Sequence, residues 1–193
     1  VVTIVHGEQN LLMGIFRLRY EVYVKEKRWA RDFGNQMERD NYDEYAGYIA
    51  LTQDDISGGG TVVATARFIS LEKKVMLDEE FHELVADVDL IREGAIEITR
   101  IAIDKKYRNQ HLDMRVYQKL IQWSLENQIN HWYFVVEPKY LRYLNRCGIM
   151  AVQIGTEKVF ADGVKAIAAY IDLKQVLQFL KSYNYRLYQI VAA

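Results

Sequence analysis

Ten residues, Ala-Ile-Glu-Ile-Thr-Arg-Ile-Ala-Ile-Asp at 95–104, constrain the fold more than any other stretch. Isoleucine and threonine dominate them, which predicts a strand, because β-branched side chains suit a pleated, half-buried surface. A basic corner follows, Lys105-Lys-Tyr-Arg-Asn-Gln-His-Leu-Asp113. After it, Leu112, Val116 and Leu120 form one stripe at helical spacing, with Tyr117, Ile121 and Leu125 beside it. The apolar run 132–137 then reads as another strand. Strand, long helix and strand in that order make a βαβ unit, in which the helix carries the chain back between parallel strands.

The remaining segments supply strands and helices of other kinds. Leu11, Ile15, Leu18 and Val22 form one helical row, and Leu12, Phe16, Arg19 and Tyr23 the next, so Arg19 sits at the edge of an apolar face. Residues 45–52 and 61–69 read as a hairpin joined by Ser57-Gly-Gly-Gly60. Residues 78–86 suggest a surface helix. Pro138 opens a helix that Gly148 closes. Residues 151–160 and 164–171 read as a second hairpin around Ala161-Asp-Gly163, and 173–182 as a closing amphipathic helix. Hairpins and interspersed helices around one βαβ unit indicate an α+β fold with a central mixed sheet flanked by helices.

With 193 residues the chain suits a single domain, 1–193, with a sizeable core. The formal net charge of -1 gives no global field for nucleic acid or a membrane surface. Cys147 is the single cysteine, so no intramolecular disulfide forms, and the chain reads as cytoplasmic. No apolar run reaches the ~18 residues that span a bilayer. No His/Cys set accompanies the aspartates, so no metal site is expected. Cys147 reads as a small buried thiol, and His6, His82 and His131 as structural.

Several residues, taken in order, carry a family resemblance. Arg19 is followed by Tyr23 and Trp29, then by the acidic pair Asp40 and Asp43. Arg67 ends the second strand of the first hairpin. Glu97, Thr99 and Arg100 lie in the central strand. This series resembles the acyl-homoserine lactone synthases, a branch of the GNAT (acyl-CoA N-acyltransferase) fold, and their relatives the long-chain N-acyl amino acid synthases. The corner departs from the GNAT phosphate loop: His111 and Asp113 stand where two small residues normally let backbone N–H groups reach a pyrophosphate. Tyrosine at 143, with Leu144 beside it, replaces the usual pair around the GNAT thiolate acid.

The resemblance implies an acyltransferase whose amine acceptor attacks an acyl thioester directly. Glu97 is a candidate base or ligand of the acceptor amine, or else an ion-pair partner of Arg67 or Arg19. Arg67 and Arg100 either shape the site or bridge to Asp40, Asp43 or Glu97; a β-bulge would re-aim Arg100, which otherwise points away from Glu97. Asp40 and Asp43 would hold the acceptor's ammonium or pin Arg19. Tyr23, Trp29 and Thr99 would line the acceptor or acyl pocket, Tyr23 and Trp29 being equally readable as core. Backbone N–H groups near Ile101 and Ile103 would polarise the carbonyl.

The missing glycines point to a donor carried on a protein. Lys105, Lys106, Arg108, His111 and Arg115 would receive an acidic acyl carrier protein and its acyl-phosphopantetheine arm. No permanently bound cofactor is expected. The reading is a long-chain N-acyl amino acid synthase acting on an amino acid such as tyrosine. The alternatives are an acyl-homoserine lactone synthase using S-adenosylmethionine and a non-catalytic carrier-binding module.

Overall fold

The structure, a computed structural model, describes residues 1–54, 60–160 and 163–192. Its strands are β1 Val2–Val5, β2 Gly47–Asp54, β3 Gly60–Ser70, β4 Ala95–Ile103, β5 His131–Val136, β6 Ala151–Val159 and β7 Lys165–Asp172. Its helices are α1 Gln9–Arg19, α2 Met76–Glu79, α3 Leu112–Glu126, α4 Pro138–Arg146, α5 Leu173–Tyr183 and α6 Tyr185–Ala192. The strands form a seven-stranded sheet in the order β1-β2-β3-β4-β5-β7-β6. β4 and β5 run parallel, whereas β1–β2, β2–β3, β5–β7 and β6–β7 are antiparallel. The expected α+β mixed sheet with flanking helices is therefore the architecture found. Most of the Gly-rich connection at 57–60 and the turn residues 161 and 162 lie outside the described residues.

Packing divides the chain into two units. The first comprises Val1–Phe68 and Arg100–Leu120. Here Ile15, Phe16, Leu18 and Val22 pack with Val5, Tyr48, Ala50, Val62 and Ala102. A Cβ on Gly14 would meet Val62 Cγ2 at 2.8 Å, so glycine permits this close helix–sheet approach. The helix does not run on uniformly to Tyr23. It widens into a π-helical segment, Tyr20–Glu26, in which Lys27 N–H donates to the Val22 carbonyl at 2.9 Å. Such segments insert a residue into the helical repeat and frequently accompany functional sites.

The second unit comprises Ile69–Thr99 and Ile121–Ala193. Its parallel β4–β5 register runs from Ala95↔His131 to Glu97↔Tyr133. Trp132 is fully buried and donates from Nε1 to Ser124 Oγ at 3.0 Å. Pro138 occupies the first turn of α4, and Gly148, at φ +85°, follows its end, as the sequence predicts.

Three local expectations need correction. Strand β1 precedes the first helix read from the sequence, and a further helix, α6, follows α5, which the sequence reads as the closing one. The surface helix expected over 78–86 is instead the short α2 and a 3₁₀ turn, His82–Leu84. The Met76 carbonyl accepts both Glu80 N–H and Phe81 N–H, at 2.8 and 3.0 Å, which closes α2 after one turn.

Candidate functional site

The densest polar chemistry of the first unit lies beneath α1 and its π-helical extension. Arg19 is completely buried. Its Nη1 and Nη2 donate to Asp43 Oδ1 and Oδ2 at 2.7 and 3.1 Å, and its Nε donates to Glu38 Oε2. Arg67, also fully buried, donates from Nη1 to Asp40 Oδ1 and, at 2.8 Å, to Asp43 Oδ1. Arg100 completes the set, donating from Nε to Glu38 Oε1 and from Nη2 to Asp40 Oδ2, both at 3.0 Å. Three guanidinium groups thus meet three carboxylates, and the network is balanced in formal charge.

Local backbone structure sets up this arrangement. Asp40, extended at φ −137° and ψ 177°, caps the 3₁₀ turn Asn41–Glu44: its Oδ1 accepts Tyr42 N–H, while Asp43 Oδ2 accepts Asp40 N–H at 2.9 Å. This reciprocal box orients both aspartates through local backbone bonds. Arg100 sits in β4 with φ +51°, a left-handed conformation costly for a side chain. The kink changes the alternation of the strand, and the Arg100 side chain reaches Glu38 and Asp40.

The electrostatics follow from burial. Desolvation works against the charges on Arg19 and Asp43, yet their mutual attraction, with Glu38 and Arg67, outweighs it. The Arg19 pKa is held above its ordinary value and the Asp43 pKa well below the usual carboxylate range. Burial, then the neighbouring Asp43 charge, pushes the Tyr48 hydroxyl up; it donates to Asp43 Oδ1 at 2.8 Å. Tyr23 is half-buried, donates to the Ile101 carbonyl at 2.7 Å, and is pushed up to about 12 by burial.

Exposure separates the interior of this network from its rim. The Asp43 side chain is 1% exposed, so it pins Arg19 and Arg67 and has no surface for a substrate ammonium. Asp40 and Arg100 keep 21% and 18% of their side-chain surface. Trp29 stands 46% exposed beside Tyr23, ring centroids 6.3 Å apart, and is not core.

Glu38 escaped the sequence reading; its partners Arg19 and Arg100 lie 19 and 62 residues away along the chain.

The corner also differs from expectation. Arg108 is not an uncommitted landing charge: both its terminal nitrogens bind Glu26, at 2.6 and 2.7 Å. Lys105, Lys106, His111 and Arg115 are exposed. His111 has φ +53°, so the backbone keeps a glycine-type conformation while bearing an imidazole. Glu97, in the second unit, is wholly buried, and its Oε2 and Oε1 accept Met76 and Leu77 N–H at 2.8 and 2.9 Å. Half-buried Thr99 follows it.

The sequence model of the family described as autoinducer synthase matches residues 5–178. The chain belongs to the autoinducer synthase family. Relatives of this family member include an acyl-homoserine-lactone synthase of Aliivibrio fischeri, 23% identical over 78% of this chain and 79% of the relative. The same enzyme from Aliivibrio fischeri strain ATCC 700601 / ES114 is 24% identical over 76% and 77%. Among solved structures, a CoA-dependent acyl-homoserine lactone synthase, BjaI, determined with SAM and isopentyl-CoA, superposes with TM-score 0.82 at 22% identity, covering 96% of this chain and 88% of that one. FeeM, an N-acyl amino acid synthase from uncultured soil microbes, superposes with TM-score 0.60 at 18% identity, covering 91% and 97%.

These findings overturn the reading of this autoinducer synthase family member as an N-acyl amino acid synthase acting on tyrosine: the family match and the curated relatives point to lactone synthases. They also overturn the expectation that an acyl-phosphopantetheine arm is the sole small-molecule requirement, since structures of the lactone synthase BjaI were determined with SAM and isopentyl-CoA and with MTA. Among the described residues, no helix is long and apolar enough to cross a membrane.

Proposed function

We propose that this protein is an acyl-homoserine lactone synthase. The match to the autoinducer synthase family over residues 5–178 carries the reading. The α-amine of S-adenosylmethionine attacks the carbonyl of an acyl thioester; a C–N bond forms, the C–S bond breaks and the thiol departs. The methionyl carboxylate then displaces the sulfonium sulfur at Cγ, which closes the lactone and releases methylthioadenosine.

The partly exposed pair Asp40–Arg100 supports binding of the acceptor's amino-acid end, because a carboxylate and a guanidinium side by side match an ammonium and a carboxylate. Tyr23 and Trp29 supply aromatic surface beside it, and the buried Arg19, Asp43 and Arg67 hold its base. For the donor, exposed Lys105, Lys106 and Arg115 favour an acidic acyl carrier protein, with His111 beside the pantetheine arm. The oxyanion role for Ile101 and Ile103 N–H groups belongs to the same reading.

Incubation with S-adenosylmethionine and a fatty acyl thioester, followed by mass spectrometry, should yield N-acyl-homoserine lactone and methylthioadenosine in equal amounts. No methylthioadenosine with either the carrier-protein or the CoA donor refutes the proposal. Asp40→Asn should raise KM for S-adenosylmethionine while leaving KM for the donor within about twofold.

A further inference from the structure

We infer that Glu97 is a positioning residue and not the acceptor of the amine's proton: with Tyr133, its register partner on β5, it straps the 71–94 connection by its backbone amides. The inference concerns how the proposed lactone synthase is built and rests on that reading for the reaction it serves.

Three attachments define the strap. Glu97 takes Met76 N–H and Leu77 N–H, one on each carboxylate oxygen, at 2.8 and 2.9 Å. The Tyr133 hydroxyl accepts Ile91 N–H at 3.0 Å near the other end of the connection. Glu97 and Tyr133 are paired across the parallel strands, so one side chain from each strand grips one end of the same segment. Arg92 ties the ends together, donating from Nη1 to the Leu71 carbonyl at 3.0 Å and to Asp78 through two bonds of 2.8 Å. Within the segment Met76, Leu77, Leu84 and Val85 are buried.

The amides at Met76 and Leu77 open a short helix, where N–H groups have no partner within the helix. Leaving such groups unpaired in the interior is expensive, which explains a carboxylate in the middle of an apolar strand. A proton acceptor, by contrast, must come within hydrogen-bond reach of the amine or of one intervening water. Glu97 has no exposed surface, and both of its oxygens face amides. The chemistry tolerates this, because an α-amino group titrates near ~7.7–8.0 and is substantially unprotonated at mildly alkaline pH.

The test combines amide hydrogen exchange with pH–rate profiles of the full chain. E97Q should accelerate exchange at Met76 and Leu77, and Y133F at Ile91. E97Q should lower kcat by less than about tenfold and keep the wild-type alkaline-rising limb; a general base contributes ~10²–10⁴. A loss of that size with wild-type exchange at Met76 and Leu77, or disappearance of the limb, overturns the inference. If E97Q is recovered unfolded, Y133F decides: faster exchange confined to 71–94 with an unchanged limb supports the strap, and unchanged exchange at Ile91 refutes it. Exchange needs no substrate, so a failure to turn over S-adenosylmethionine would sink the proposed function without touching the strap.

Discussion

Arg19 and Asp43 meet in a two-bond fork, Nη1 to Oδ1 at 2.7 Å and Nη2 to Oδ2 at 3.1 Å, with both side chains withdrawn from solvent. The fork fastens the end of α1 to the turn Asn41–Glu44, and Arg67 binds the same carboxylate from β3. Breaking one partner of a buried pair typically costs ~3–5 kcal/mol. Asp43→Ala should lose stability on that order, because it takes one carboxylate partner from each of two buried guanidinium groups. Thermal and urea melts followed by circular dichroism measure it; a loss below about 1 kcal/mol would show that the network does not bind the first unit together.

Asp43 also sets an acid response. Its folded pKa lies below the unfolded value of ~3.9, so on acidification the unfolded chain takes up the proton first. The stabilisation is present above that value and disappears as pH falls through the depressed folded pKa. Stability from urea midpoints should therefore drop more steeply below pH ~4 in the wild type than in Asp43→Asn. Equal slopes would remove Asp43 from the account.

The corner charges divide into committed and available ones. Lys105→Glu with Arg115→Glu should reduce kcat/KM for an acyl carrier donor by about tenfold, with weaker dependence on salt, and leave the CoA donor nearly unaffected. Glu26→Gln should act in the opposite sense by releasing Arg108, while changing stability by less than about 1 kcal/mol, as expected for a half-exposed pair. Equal effects on both donors would reject a carrier-specific surface.

Gly155 stands at φ +62°, where a Cβ would lie 1.8 Å from the Leu84 carbonyl oxygen. Gly155→Ala must adopt a left-handed conformation, costing ~1–2 kcal/mol, and displace backbone as well. A clear drop in melting temperature is expected. A neutral substitution would mean that β6 and the 82–85 turn separate at little cost.

Much of the architecture is legible in local pattern. The isoleucine-rich stretch 95–104, the helical stripe from Leu112 to Leu125, and Pro138 with Gly148 each specify an element from covalent geometry and burial preference alone. The resemblance to the lactone synthases and their relatives groups Arg19, Asp40, Asp43, Arg67 and Arg100, together with Tyr23, Trp29, Glu97 and Thr99. Their individual assignments are not legible there, because which guanidinium meets which carboxylate depends on strands and turns far apart in sequence. Glu38 bonds residues 19 and 62 positions away, and no local rule singles it out.

Local pattern alone therefore accounts for the α+β class, the charged inventory and the resemblance to lactone synthases and their relatives, since these depend on periodicity, turn chemistry and residue type. Tertiary structure decided which of those residues keep solvent-facing surface. It buried Asp43, left Asp40 and Arg100 on the rim through a left-handed kink at Arg100, committed Arg108 to Glu26, and turned Glu97 onto two backbone amides. The physical reason is the same in each case: a charged group withdrawn from water must find its partner across the fold, and the partner it finds sets what it can still do.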